Sequence, residues 1–197
     1  GDDRAMTEST ERSRGLAVAI VAASVGTMSG STRPAAVEHF AGRPLVAHVL
    51  SAVATLKPGL LLVLGDRAKL EGAVRHEGVV WHEAAVHEPL EALAPLVPDL
   101  PSAGVLLWVA AEVPLVTPGT LADLVEAAHR TGFARAEPSD ASVFAVDLRA
   151  LASGTVDEAR ASLVRPASAD ELAPLRDKST LVRREREYHR QRAEELL

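Results

Sequence analysis

Apolar residues gather in short unbroken runs along this chain, and the segments between several of those runs carry apolar positions at helical spacing. The runs 16–22 (LAVAIVA), 60–64 (LLLVL) and 104–109 (GVLLWV) are apolar throughout rather than alternating. That pattern predicts strands covered on both faces, as in a parallel sheet. Shorter runs at 79–81 and 142–147 predict two further strands. Helical periodicity marks 44–56, with a proline in its first turn and Lys57-Pro58-Gly59 closing it. Further helices are expected at 66–75, at 89–96, and from the Thr117–Pro118 cap to about residue 130. The last segment, 179–197, reads as one long charged helix.

Strands alternating with helices predict an α/β fold: a mostly parallel, Rossmann-like sheet flanked by helices, with 16–22, 60–64 and 104–109 as adjacent central strands. In such sheets ligands bind outside the carboxyl ends of the strands. Three loops fall there, at 23–34, 110–117 and around 82–89. One domain at 15–176 with a helical tail at 177–197 is the simplest parse. Residues 1–6 (GDDRAM) read as a tag remnant ahead of Met6, and 1–14 as a disordered start.

Composition narrows the partners. The chain has 197 residues, a net charge of −6 and only 3% aromatics. Nucleic acid demands a basic face or stacking platforms, so it is not an expected partner. No run is long and apolar enough for a bilayer, and no membrane partner is expected. The absence of cysteine removes thiolate chemistry and is compatible with a reducing cytoplasm, the expected location. His76, His82 and His87 lack the spacing and partners of a zinc site. The stretch Ala22-Ala23-Ser24-Val25-Gly26 also has the outline of a hydrolase nucleophile elbow, but a polar, proline-interrupted segment follows it where a helix is required.

Three segments carry a resemblance. From Val18 to Val37 the chain reads VAIVAASVGTMSGSTRPAAV, which resembles the nucleotide-binding signature L-A-A-G-x-G-T-R-M-x-S-x-x-P-K-x-L of sugar-nucleotide pyrophosphorylases. Ala22, Ala23, Gly26, Thr27, Ser31 and Pro34 match it, and Ala41-Gly42-Arg43-Pro44 continues the match. Trp108 to Val116 (WVAAEVPLV) resembles the Y-G-D-V-P-L-I loop. Asp177 to Leu197 resembles the segment N-N-R-x-Q-L-x-R-x-E-R-x-Y-x-x-x-x-A-E-x-L-L, with Leu181, Arg183, Glu185, Arg186, Tyr188, Ala193 and Glu194 in register. Together they resemble the uridyltransferase domain of the bifunctional N-acetylglucosamine-1-phosphate uridyltransferases (GlmU), a GT-A-like nucleotidyltransferase. The tail favours this family over the shorter molybdopterin-guanylyltransferase relatives, which share the first two loops.

The resemblance implies a nucleotide loop formed by Ala22, Ala23, Ser24, Gly26 and Thr27, where a glycine-marked turn lets backbone N–H groups approach phosphates. It implies Mg²⁺ held by oxygen donors at Glu112 and Asp177, a hard cation on carboxylates. It also implies a nucleotide or sugar nucleotide as ligand, and homo-oligomers through a C-terminal β-helix domain that this chain does not include. The departures fall on the chemistry. Met28 stands in place of the family's triphosphate-binding Arg, Ala35 in place of its Lys, Ser24 in place of its first Gly, and Glu112 in place of Asp. Arg33 is a partial substitute for the lost cations. The uracil-contacting and sugar-binding motifs are replaced or shortened. These losses imply a degenerate domain, catalytically weak or inactive, kept for structural or regulatory purposes. Two alternatives stay open: an active Mg²⁺-dependent transferase joining N-acetylglucosamine 1-phosphate to UTP, and a nucleotide sensor without chemistry.

Overall fold

The computed structural model describes residues 15–22, 33–83, 93–137 and 142–196. A seven-stranded sheet forms its centre. The strands are β1 (Leu16–Val21), β4 (Leu60–Leu64), β5 (Val79–His82), β6 (Val105–Ala110), β7 (Phe133–Ala136), β8 (Val143–Asp147) and β9 (Ser162–Val164), in the order β5-β4-β1-β6-β8-β7-β9. A separate hairpin of β2 (His39–Phe40) and β3 (Arg43–Pro44) sits between β1 and the first helix. The helices are α1 (Leu45–Ala54), α2 (Arg67–Leu70), α3 (Pro118–Thr131), α4 (Leu148–Ser153) and α5 (Lys178–Glu195).

The three longest apolar runs are neighbours, as their pattern predicts. β1 pairs in parallel with β4 from Ala17↔Leu60 and with β6 from Leu16↔Val105. Every residue of β1 and β6 is buried, because both faces are covered. On one face Leu16, Val18 and Ile20 pack with Val46, Val49 and Val53 of α1 and Leu121 and Leu124 of α3. On the other, Ala17, Ala19 and Val21 meet Leu93, Leu96, Trp108, Phe144 and Leu148. Trp108 and Phe144 stack there with ring centres 5.5 Å apart. The sheet is mixed beyond β6: β8 runs antiparallel to β6 and β7 antiparallel to β8, while β9 lies parallel to β7.

Local chemistry sets the element ends. Thr117 caps α3 by accepting from the Thr120 N–H, Pro118 opens it, and Gly132 ends it at φ 92°. Gly104 precedes β6 at φ 116°, with the Gly15 carbonyl so close that a Cβ would lie 1.8 Å from its oxygen. Only glycine fits there.

The sequence reading differs from the structure in four places. The helix expected over 66–75 is regular only for Arg67–Leu70, capped by Asp66, and dissolves into turns before Gly72. The described end of the 89–96 helix is a 3₁₀ helix, Ala94–Asp99, running past the expected stop and through Pro98. Strands β7 and β9 and helix α4 have no counterpart in the expectation. Finally, the hairpin of β2 and β3 occupies residues read only as a lead into α1.

The tail docks as its apolar spacing predicts. Leu181 joins Ala35, Phe40, Leu45 and Leu175 in a third apolar cluster, and the Tyr188 ring lies 5.5 Å from that of Phe40. Glu185 Oε2 accepts the Ala41 N–H at 2.7 Å, fixing the hairpin turn where Ala41 holds a φ of 49°. Arg184 reaches Asp170 at 2.7 Å. Leu196, at the far end, is 89% exposed.

Candidate functional site

The carboxyl ends of β1, β4 and β6 bring three segments together. Ala22 leaves β1 with its N–H on the Leu64 carbonyl at 2.9 Å, and Ala111 leaves β6 with its N–H on the Val21 carbonyl at 2.9 Å. The segment before α5 completes the group, because the Leu175 N–H donates to the Glu112 carbonyl at 2.8 Å. Ala22, Glu112 and Asp177 are thus carried to one end of the sheet. Ala23, Ser24, Gly26, Thr27 and Met28 lie outside the described residues, as does His87.

Glu112 is 1% exposed. Its Oε1 lies 3.3 Å from Arg176 Nε, so a guanidinium that is 49% exposed neutralises a carboxylate buried beneath it. Asp177 is equally occupied. Its Oδ1 accepts the Thr180 N–H at 2.8 Å and the Ser179 hydroxyl at 2.7 Å, and its Oδ2 accepts the Thr180 hydroxyl at 2.8 Å. The Thr180 backbone bond and then the two hydroxyls hold its pKa at about 2. Asp177 is the N-cap of α5.

This arrangement does not fit a hard divalent cation as it stands. Both carboxylates already have donors, and the Glu112 carboxylate is paired with Arg176, which a dication would have to displace. Among the described residues no group of three or more His, Cys, Asp or Glu is placed to hold a metal. His82 Nε2 is 3.8 Å from Asp99 and His76 bonds to the Glu77 carbonyl, so the two described histidines of that trio point to separate neighbours.

The substituted lysine position and the arginine that could stand in for the lost cations can both be located. Ala35 is 1% exposed and packs with Leu175 and Leu181 beneath the tail. Arg33 donates from Nη2 to the Val37 carbonyl at 3.1 Å, back onto its own segment.

Glu171 is a residue that sequence reasoning missed. It is 2% exposed, accepts the Thr117 N–H at 2.9 Å and hydroxyl at 2.5 Å, and accepts the Ala167 N–H at 2.7 Å. Burial alone would raise its pKa, but these donors, together with Thr120, outweigh burial and hold it below the usual carboxylate range. It ties the segment bearing Arg176 and Asp177 to the start of α3. Arg176 was missed too, though a lone arginine between Leu175 and Asp177 is a signal a site search can use.

Solved structures share this architecture. A mycobacterial homologue of Mycobacterium tuberculosis rv0371c, from Mycobacterium sp. strain JC1, superposes with a TM-score of 0.67 at 17% identity, covering 91% of this chain and 99% of that one. A nucleotidyl transferase from Methanothermobacter thermautotrophicus gives 0.66 at 16% identity, covering 89% and 98%. The molybdopterin-guanine dinucleotide biosynthesis protein A of Archaeoglobus fulgidus gives 0.63 at 13%, covering 88% and 99%. The fold is therefore of the nucleotidyltransferase class. Residues 18–190 match the model of the MobA-like NTP transferase domain, and the chain belongs to that family.

Curated relatives include the bifunctional protein GlmU of Cupriavidus pinatubonensis, 35% identical over 123 residues, which is 59% of this chain and 26% of that protein. The GlmU of Stenotrophomonas maltophilia is 30% identical over 138 residues, 68% of this chain and 30% of that protein. The chain thus spans under a third of the length of either relative.

Proposed function

We propose that this is a degenerate sugar-1-phosphate nucleotidyltransferase-like domain, catalytically weak or inactive and retained for structural or regulatory purposes. In the reaction that the resemblance implies, a sugar phosphate oxygen attacks the α-phosphorus of a nucleoside triphosphate. A P–O bond forms, the bond to the β-phosphate oxygen breaks, and pyrophosphate leaves with the negative charge. Such a step depends on cations placed where that charge develops. The observation that carries the proposal is the Glu112–Arg176 pair, which sets the side chain's own cation against the carboxylate that would ligate a metal. Three features support it: Asp177 caps a helix, Ala35 is packed in an apolar cluster, and Met28 stands at the arginine position of the loop.

The proposal places the domain in the cytoplasm and makes a nucleotide or sugar nucleotide its one expected small-molecule partner, met through the backbone of residues 22–27. Oligomerisation, if it occurs, depends on a further domain of the kind carried by its longer relatives. Calorimetric titration with UTP and UDP-N-acetylglucosamine, with and without Mg²⁺, tests the reading. The expected result is binding that is weak or absent and indifferent to Mg²⁺. Micromolar UTP binding that requires Mg²⁺ would overturn it in favour of the metal-dependent transferase, whereas tight Mg²⁺-independent binding without turnover would indicate a sensor.

A further inference from the structure

One concave surface carries none of the candidate site residues. The outer face of α1 and the turn following α2 enclose a cleft of about 480 Å³, within the roughly 300–1,000 Å³ typical of small-molecule sites. Leu50, with alanines of both walls, forms an apolar floor. The rim is basic: His39 and Arg43 stand on the hairpin side, Arg75 and His76 on the other. Among the described residues lining it there is no aspartate or glutamate. That is a local reversal, since the chain as a whole carries 27 acidic residues against 21 Lys and Arg. Like charges gathered in a concave, partly apolar setting raise the potential felt by an anion.

The rim is partly preorganised. Arg43 Nη2 donates to Ser51 Oγ at 2.8 Å and to the Ala47 carbonyl at 3.1 Å, which lays the guanidinium along α1 and leaves its Nη1 and Nε donors unassigned. His76 donates from Nδ1 to the Glu77 carbonyl at 2.8 Å, so the phosphate donors of the rim are its two arginines. The side chains of Arg75 and His39 have no hydrogen bond or ion pair with any other described residue. The nearest acid in sequence before the turn, Glu71, is already paired with Arg67 at 3.3 Å. Neither Glu112 nor Asp177 lines this cleft.

We propose that the cleft between α1 and the turn at 72–76 binds an anion of the phosphate class, a phosphomonoester or pyrophosphate group, through Arg43 and Arg75. Planar guanidinium groups match phosphate oxygens with paired N–H donors, and the apolar floor receives the uncharged remainder of a larger ligand. Neither Ala22 nor any strand-end acid lines this cleft, and the proposal does not depend on whether the domain turns over.

The test is titration of the full chain with inorganic pyrophosphate, followed by calorimetry and by backbone amide chemical shifts. Shifts centred on Gly72, Ala73 and His76, with affinity at least tenfold weaker in Arg75→Ala, are the expected result. The Arg75 side chain has no hydrogen-bond or ion-pair partner among the described residues, so that variant is expected to fold normally; Arg43→Ala is expected to weaken binding similarly. Absence of binding at millimolar pyrophosphate overturns the proposal. So do shifts confined to residues 22–27, or an affinity unchanged by Arg75→Ala. Repeating the titration with glucose 1-phosphate separates a bare anion from a phosphorylated metabolite: tighter binding of the ester supports use of the apolar floor, and weaker binding assigns the site to the free anion alone.

Discussion

Replacing Glu171 with alanine should loosen the whole approach to the candidate site. The carboxylate is buried and accepts from the Thr117 N–H, the Thr117 hydroxyl and the Ala167 N–H. A hydrogen bond to a charged group contributes about 1.5–3 kcal/mol net. The Thr117 hydroxyl already lies 3.2 Å from Thr120 Oγ1 and can turn to it, so two donors rather than three lose their acceptor. The expected loss is about 3–6 kcal/mol by that same allowance, a large part of the roughly 5–15 kcal/mol that holds a domain together. At about 2–4 °C per kcal/mol for a chain of this size, the melting temperature should fall by roughly 10 °C or more. Glu171→Gln keeps one acceptor but sets an NH₂ against one N–H donor, and should cost about half as much. Acid dependence gives an independent check. Because the folded pKa of Glu171 is depressed, its stabilisation is present above the unfolded carboxylate value and is lost as pH falls through the folded one. Wild-type stability should therefore drop with pH below the ordinary carboxylate range more steeply than that of Glu171→Gln. Urea denaturation at neutral pH and across that acid range measures both. A loss under about 1 kcal/mol for Glu171→Ala at neutral pH would refute the reasoning, since such a value is ordinary for surface substitutions.

Gly104→Ala should cost more than about 3 kcal/mol or abolish folding, because its Cβ would collide with the Gly15 oxygen at a φ of 116°; circular dichroism melting reads this directly. Asp177→Ala should fray the first turn of α5, seen as faster amide exchange at Ser179 and Thr180. The wild-type cap should stay intact above the unfolded aspartate value and weaken as pH falls toward about 2. Leu181→Ala should cost about 2–4 kcal/mol and release α5 from the hairpin. Limited proteolysis should then cut within α5, where the wild type is cut only near Leu196.

The centre of the fold was legible because burial on both faces writes continuous apolar runs, and β1, β4 and β6 each have one. Strands β7 (FARA) and β9 (SLV) were not, since each is four residues or fewer and carries an exposed position, Arg135 or Leu163. Helix α4 follows β8 without a polar break, so only the Asp147 cap and Gly154 mark it. The candidate site was half legible. Sequence register brought Glu112 and Asp177 to the same end of the sheet, but nothing local says which way a side chain turns. Glu112 pairs with Arg176, 64 residues away, and the oxygens of Asp177 turn into its own helix. Glu171 bonds across 54 residues, a relation that no spacing along the chain can reveal.

The central claim is tested most directly by pyrophosphate release from UTP and N-acetylglucosamine 1-phosphate, with purified protein and Mg²⁺. On the proposed reading, the Glu112–Arg176 pair, Met28 and Ala35 together remove the charge stabilisation of the leaving pyrophosphate, and one lost preorganised donor typically slows such chemistry by about 10²–10³-fold. The account predicts a rate at background, or at least about 10⁴-fold below a GlmU relative assayed alongside, since more than one such group is missing. A Mg²⁺-dependent rate within tenfold of that relative would contradict it.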